Sequence, residues 1–174
     1  MDIVDLREYV VSLPLVEECQ PFGDDAVVYK VGGKMFLCFV LEHTERVAVK
    51  CNPDRAIALR DEHLSAITPA WHFNKRHWND IYFERLPRQI VEREIRHSYL
   101  TVIRENVTPK ALRNEILAIV EDAGIEDAEA ISVLLSDDRT FRATLVGSDA
   151  ISDLAVIYVE AEDLTPAQFG NSND

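Results

Sequence analysis

No apolar run in these 174 residues approaches the roughly 20 residues that a membrane-spanning helix requires. The opening, Met1-Asp2-Ile3-Val4-Asp5, is acidic and passes into an amphipathic pattern, unlike the basic and then apolar opening of a secretion signal. The expectation is therefore a cytoplasmic protein with no membrane partner. Cysteine is scarce: Cys19, Cys38 and Cys51 show no Cys-x-x-Cys spacing, and an odd count without an export signal predicts free thiols. A phosphate-binding glycine loop, a nucleophile elbow and a dinucleotide fingerprint are all missing, as are internal repeats. Positive charge is also short. The net charge is −13, which speaks against a simple binder of polyanions.

The charge is unevenly placed. Residues 1–124 hold 16 Lys and Arg against 20 Asp and Glu, whereas residues 125–174 hold 2 against 11. Eleven of the cations fall between residues 46 and 104. A mixed-charge body followed by an acidic tail reads as one domain with an appendage.

The body alternates between two periodicities. Ile3, Leu6, Val10 and Leu13 predict a helix over 2–12, ended at Pro14, followed by a polar connector over 17–25. Residues 26–31 and 34–41 predict a hairpin around Gly32-Gly33, a pair that tolerates positive φ at both positions. Residues 46–51 predict a third strand. Asn52 or Asp54 then caps a short helix with Ala56, Ile57 and Leu59 on its buried side. Two more strands are expected over 66–73 and 78–84. In the second, Trp78, Asp80 and Tyr82 share one face and Asn79, Ile81 and Phe83 the other. A long helix from Pro87 to about Arg104 turns Arg88, Arg93 and Arg96 outward, and another runs from Thr108-Pro109 to about Ala123, closed by Gly124. The pattern predicts an α+β fold, an antiparallel sheet backed by helices on one face.

One stretch stands apart. Trp71-His72-Phe73-Asn74-Lys75-Arg76-His77-Trp78-Asn79 is too polar for a core and too aromatic for an ordinary loop. Rings beside cations hold flat or anionic partners. The competing reading is a structural turn with both indoles buried and the cations in water. His72 and His77 have no Cys or carboxylate at ligand spacing, so hydrogen bonding at a turn is expected there, with no metal and no cofactor.

The same stretch resembles the H-x-N-K-x-H-W-N signature of the MmcQ/YjbR family. Pro21-Phe22-Gly23-Asp24-Asp25, Val31-Gly32-Gly33-Lys34-Met35-Phe36, Val49-Lys50-Cys51-Asn52-Pro53 and Arg96-His97-Ser98-Tyr99 are similar to its other landmarks. The resemblance covers about residues 1–120, within an expected domain over 1–122. It implies a frataxin-like, double-wing α+β fold and weak, salt-sensitive, largely sequence-independent DNA binding without catalysis. Lys75, Arg76 and His77 would meet phosphates, joined by Lys34, Lys50 and Arg46. His72, Asn74 and Trp78 complete the expected contact set, and Trp71 and Phe73 would stack if exposed. The alternative is a protein- or small-ligand-binding domain that uses the same face without nucleic-acid affinity.

Residues 126–174 change character. Strands are expected over 130–136, 140–147 and 154–160, with a turn at Asp137-Asp138-Arg139, forming a β-rich appendage. The text from Ala130 to Ala143, Val146-Gly147-Ser148-Asp149 and Ile151-Ser152-Asp153-Leu154-Ala155-Val156 resembles part of an HtrA-type serine protease. In that family the Asp of this run belongs to the catalytic triad, and Asp153 takes its position. The family's upstream His context is missing, no His follows His97, and Gly170-Asn171-Ser172-Asn173-Asp174 lies too near Asp153 to supply the nucleophile. One member of three has nothing to activate, so Asp153 is expected to be non-functional and the chain not to be an enzyme. Three strands cannot close a barrel, and their open edges lead to three alternative expectations for residues 126–174: docking on the sheet edge of the first domain, self-association, or poor order.

Overall fold

The computed structural model describes residues 1–125, 131–135, 137–149 and 154–164. Asp153, Gly170–Asp174 and part of the expected junction over 122–126 lie outside the described residues. The chain divides into two compact units, Met1–Ala128 and Glu129–Asp174.

The first unit opens with α1 (Ile3–Ser12), where Asp2 caps the Val4 and Asp5 amides and Asp5 returns a bond to the Asp2 amide. A six-stranded antiparallel sheet follows. Its strands are β1 (Val16–Cys19), β2 (Ala26–Val31), β3 (Lys34–Val40), β4 (Val47–Lys50), β5 (Ile67–Pro69) and β6 (Trp78–Ile81), in the order β1-β2-β3-β4-β6-β5. Helix α2 (Pro53–Glu62) joins β4 to β5, and α3 (Arg88–Asn106) and α4 (Lys110–Asp122) complete the unit.

The two sheet faces differ. Residues such as Tyr29, Leu37, Val49, Ile81 and Phe83 point to the helices. They form the main core with Leu6, Leu59, Ile95, Tyr99 and Ile116, drawn from all four helices. Phe36 and Tyr99 meet edge to face at 5.4 Å, and the Tyr99 hydroxyl donates to the Pro14 carbonyl at 2.8 Å. On the outer face lies a smaller cluster of Ala26, Val28, Cys38, Ala48 and Ala70, over which no helix of the described residues packs. Phe73 and Trp78 pack there instead.

The hairpin at Gly32-Gly33 forms as expected, with φ of 54° and 73°. Three expectations change. Val16–Cys19 is an edge strand paired with β2, not a connector; Glu17 and Glu18 hide it because an edge strand tolerates charge. Strand β5 stops at Pro69, after which the chain leaves the sheet. Ile57 is 57% exposed because α2 buries a narrow stripe of Ala56 and Leu59.

The second unit contains β7 (Ile131–Leu134), β8 (Thr140–Asp149) and β9 (Leu154–Val159), an antiparallel sheet ordered β7-β8-β9. Asp138, at φ 65°, makes its first turn, where Arg139 bonds the Asp137 carboxylate at 2.7 Å. Among the described residues no helix is long and apolar enough to cross a membrane.

Candidate functional site

The chain between Pro69 and Trp78 folds back across the outer face of the sheet. Its two ends are fixed by the strands: Ala70 donates to the Trp78 carbonyl at 3.2 Å, and Cys51 donates to the His77 carbonyl at 2.8 Å. Its tip is an Asn-closed turn. The Asn74 side chain accepts from the Arg76 amide at 3.0 Å, and the Asn74 carbonyl accepts from the His77 amide at 2.9 Å. From beneath, Arg60 of α2 donates to the Lys75 carbonyl, the Trp78 carbonyl and the Asn79 side chain. The loop is therefore held largely through its backbone.

The two indoles part company. Trp71 is 71% exposed, and the Lys75 ammonium lies 5.7 Å from its ring centroid. Trp78 is half-buried and stacks on Phe73 at 4.7 Å with the planes 23° apart. His72, Asn74, Lys75 and Arg76 are exposed, and His77 is half-buried.

The remaining expected cations do not join the loop as one patch. Register puts Lys34 and Lys50 at the Trp78 end of the sheet, but the Lys50 ammonium bonds the Asn106 side chain. Arg46 lies at the opposite end of β4. It donates to the Tyr82 hydroxyl at 3.0 Å and pairs with Asp80 at 3.5 Å, so it is engaged inside the protein.

Sequence reasoning missed a second feature. Beside Trp71, His72 and Phe73 the outer face is hollowed. Two recesses there share Cys38, Val40, His72 and Phe73: a small one of about 20 Å³ bounded also by His43, Arg46, Ala48, Trp71 and Asp80, and a larger one of about 300 Å³ bounded also by Phe22 and Ala26. Asp80 is only 6% exposed and accepts from the Trp71 amide at 3.2 Å. Burial holds its carboxyl above the usual range, against the opposing pull of that amide and of Arg46, His72 and His43. Burial pushes the Cys38 thiol up to about 11, with the Asp80 charge adding to it. The usable signal was the run of small residues Ala26, Val28, Cys38 and Ala48 at alternate positions of three neighbouring strands. They leave a shallow bed on the face away from the helices.

Among the described residues no group of three or more His, Cys, Asp or Glu is arranged to hold a metal. The fold is that of a small α+β domain with helices on one face of an antiparallel sheet. A profile of the YjbR family matches residues 11–101, and the chain belongs to that family. It is 27% identical over 121 residues to the YjbR protein of Escherichia coli K12, covering 68% of this chain and all of that one. It is 35% identical over 77 residues to YbdF of Escherichia coli O157:H7, spanning 44% of this chain and 62% of YbdF. A crystal structure of a DUF419-domain protein from Deinococcus radiodurans superposes with a TM-score of 0.61 at 28% identity, covering 79% of this chain and 94% of the other. A separate similarity is to a DegP-like periplasmic serine endoprotease of Pseudomonas savastanoi, 43% identical over 49 residues. It spans 28% of this chain and 10% of the protease.

Proposed function

We propose that the first unit is a binding module that grips DNA weakly, with little sequence preference and no catalytic step. One observation carries this reading: an indole that is 71% exposed, with the Lys75 ammonium 5.7 Å from its ring, on a loop whose backbone is anchored from below. A base stacks on an exposed indole, while Lys75 and Arg76 meet phosphates. With two cations engaged on a single strand, log K falls with log salt at a slope of about −1.4. Fluorescence anisotropy of a labelled oligonucleotide at two salt concentrations tests this. Binding at low salt that is lost in the Lys75→Ala, Arg76→Ala double variant supports it. No binding at low salt, or binding that ignores both substitutions, contradicts it.

A second reading, a ligand-binding domain without nucleic-acid affinity, is favoured by the hollow beside the loop and by the net charge of −13. The same titration separates the two.

For the second unit we propose a non-catalytic relative of part of an HtrA-type protease. The short similarity to DegP-like enzymes supports this, as does the absence of any His after His97. Among the described residues, strands β7 and β9 each pair on one side only, and Leu134, Leu154, Val156 and Tyr158 are exposed, which favours self-association. A serine-directed fluorophosphonate leaves such a protein unlabelled; labelling would contradict the proposal. The reading needs no cofactor, and the free thiols Cys19, Cys38 and Cys51 favour a cytoplasmic location.

A further inference from the structure

We infer that the recess between α1 and the sheet, where β2 begins and β3 ends, binds an uncharged single-ring molecule of the phenol type. The ring lies among apolar side chains and its hydroxyl meets the Arg7–Glu18 pair. The site is on the helix side of the sheet, the opposite face from the aromatic loop, and does not rest on the nucleic-acid reading.

The size fits one ring. Ile3 and Leu6 of α1 face Val27 and Tyr29 of β2, Phe39 of β3 and Leu41 just beyond it. Leu6, Tyr29 and Phe39 are buried in the main core, so the deep walls are fixed by residues that also hold the fold. Ile3 and Leu41 are exposed and mark the mouth. The recess measures about 180 Å³. An apolar cavity of about 150 Å³ admits benzene, whereas drug-sized ligands take roughly 300–1,000 Å³. Side chains around such a gap lack packing partners on one side. A ring that fills it gains dispersion contacts and takes apolar surface out of water.

The polar end fits a hydroxyl. Arg7 donates to both Glu18 oxygens, at 2.8 and 3.1 Å. The Tyr29 hydroxyl joins them: burial raises its pKa, and its hydrogen bond to Glu18 raises it further. A guanidinium carries more N–H donors than these bonds use, and a carboxylate more lone pairs, so both keep capacity for a ligand. Together the pair is neutral, which favours an uncharged partner over an ion. A phenol hydroxyl donates to Glu18 and accepts from Arg7.

The test titrates phenol and toluene, rings of similar size with and without a hydroxyl, into the full chain and follows the methyl groups by NMR. The expected result is saturable shifts at Leu6, Val27 and Leu41, with Val40 on the outer face unmoved. Phenol should bind about tenfold more tightly than toluene, as one hydrogen bond to a charged group provides. Benzoate should bind more weakly than phenol. Glu18→Gln should narrow the preference for phenol and leave toluene binding intact, whereas Val27→Phe fills the recess and should abolish both. Glu18 lies on an edge strand, so its variant reports on the site even if Val27→Phe disturbs folding, which circular dichroism monitors. The inference is overturned by an absence of saturable shifts, by shifts at Val40 in their place, or by toluene or benzoate binding as tightly as phenol. Binding that survives Val27→Phe in a folded protein overturns it as well.

Discussion

Arg60 donates through Nε to the Oδ1 of Asn79 at 2.7 Å, tying helix α2 to strand β6 directly beneath the aromatic loop. Asn79 is buried and also donates to the Ala56 carbonyl at 3.3 Å, so both groups are fixed from more than one side. Arg60→Ala leaves a buried acceptor unpaired, at a cost of about 1–3 kcal/mol. It also frees the carbonyls of Lys75 and Trp78. Urea unfolding should register the loss, and amide exchange over residues 71–78 should accelerate. Unchanged exchange would mean that the loop holds its shape without this guanidinium.

Glu94 is 2% exposed and sits between two cations. Arg55 donates to both its oxygens, at 3.0 and 2.8 Å, and Arg93 adds a bond at 2.8 Å. Removing Arg55 leaves Glu94 with Arg93 alone and its Oε2 without the Arg55 bond, so Arg55→Ala should lower stability by about 1–3 kcal/mol. Replacing Glu94 with Gln in the Arg55→Ala background should recover part of that loss. Chemical denaturation of the single and double variants measures both effects.

Gly32 and Gly33 both have positive φ, yet they differ in surroundings. A Cβ on Gly32 would lie 2.9 Å from Ile116 and 3.0 Å from Val107, whereas one on Gly33 meets nothing within 4 Å. Gly33→Ala should cost only the left-handed conformation, about 1–2 kcal/mol. Gly32→Ala adds a clash with the core and should be clearly worse. Equal thermal midpoints for the two variants would argue against this packing of α4 on the hairpin.

Asp80 gives a pH signature. Burial raises its folded-state pKa above the unfolded value, so between the two the folded protein holds more protons. Stability contributed by this group is therefore present below the unfolded pKa and falls as pH rises toward the folded one. Asp80→Asn should match the parent near pH 3, where both states are protonated, and gain relative to it at neutral pH. Urea titrations at the two pH values decide the matter; a variant that loses ground as pH rises would reverse the sign.

Much of the fold could be read from periodicity. Ile3, Leu6 and Val10 announce α1, Gly32-Gly33 the central hairpin, and the alternation from Trp78 to Phe83 which side of β6 meets the helices. What escaped was set by neighbours distant in sequence. Glu17 and Glu18 look like a connector because only pairing with Lys30 and Tyr29 makes them a strand. Arg46 and Lys50 look like free cations until Tyr82 and Asn106 are brought beside them. The exposure of Trp71 and the half-burial of Trp78 depend on which one stacks on Phe73, a tertiary fact with no local signature. The bed of small residues requires Val28, Cys38 and Ala48 to lie side by side across three strands, which the register alone decides.

The most direct test uses the chain's two tryptophans, since a Trp78→Phe variant keeps a ring on Phe73 and leaves Trp71 as the sole indole. Adding a short single-stranded oligonucleotide at low salt should quench Trp71 emission in step with the anisotropy change, and salt should reverse both together. Unchanged Trp71 emission, whether or not the strand binds elsewhere, would contradict the claim that this indole and its neighbouring cations form the gripping surface.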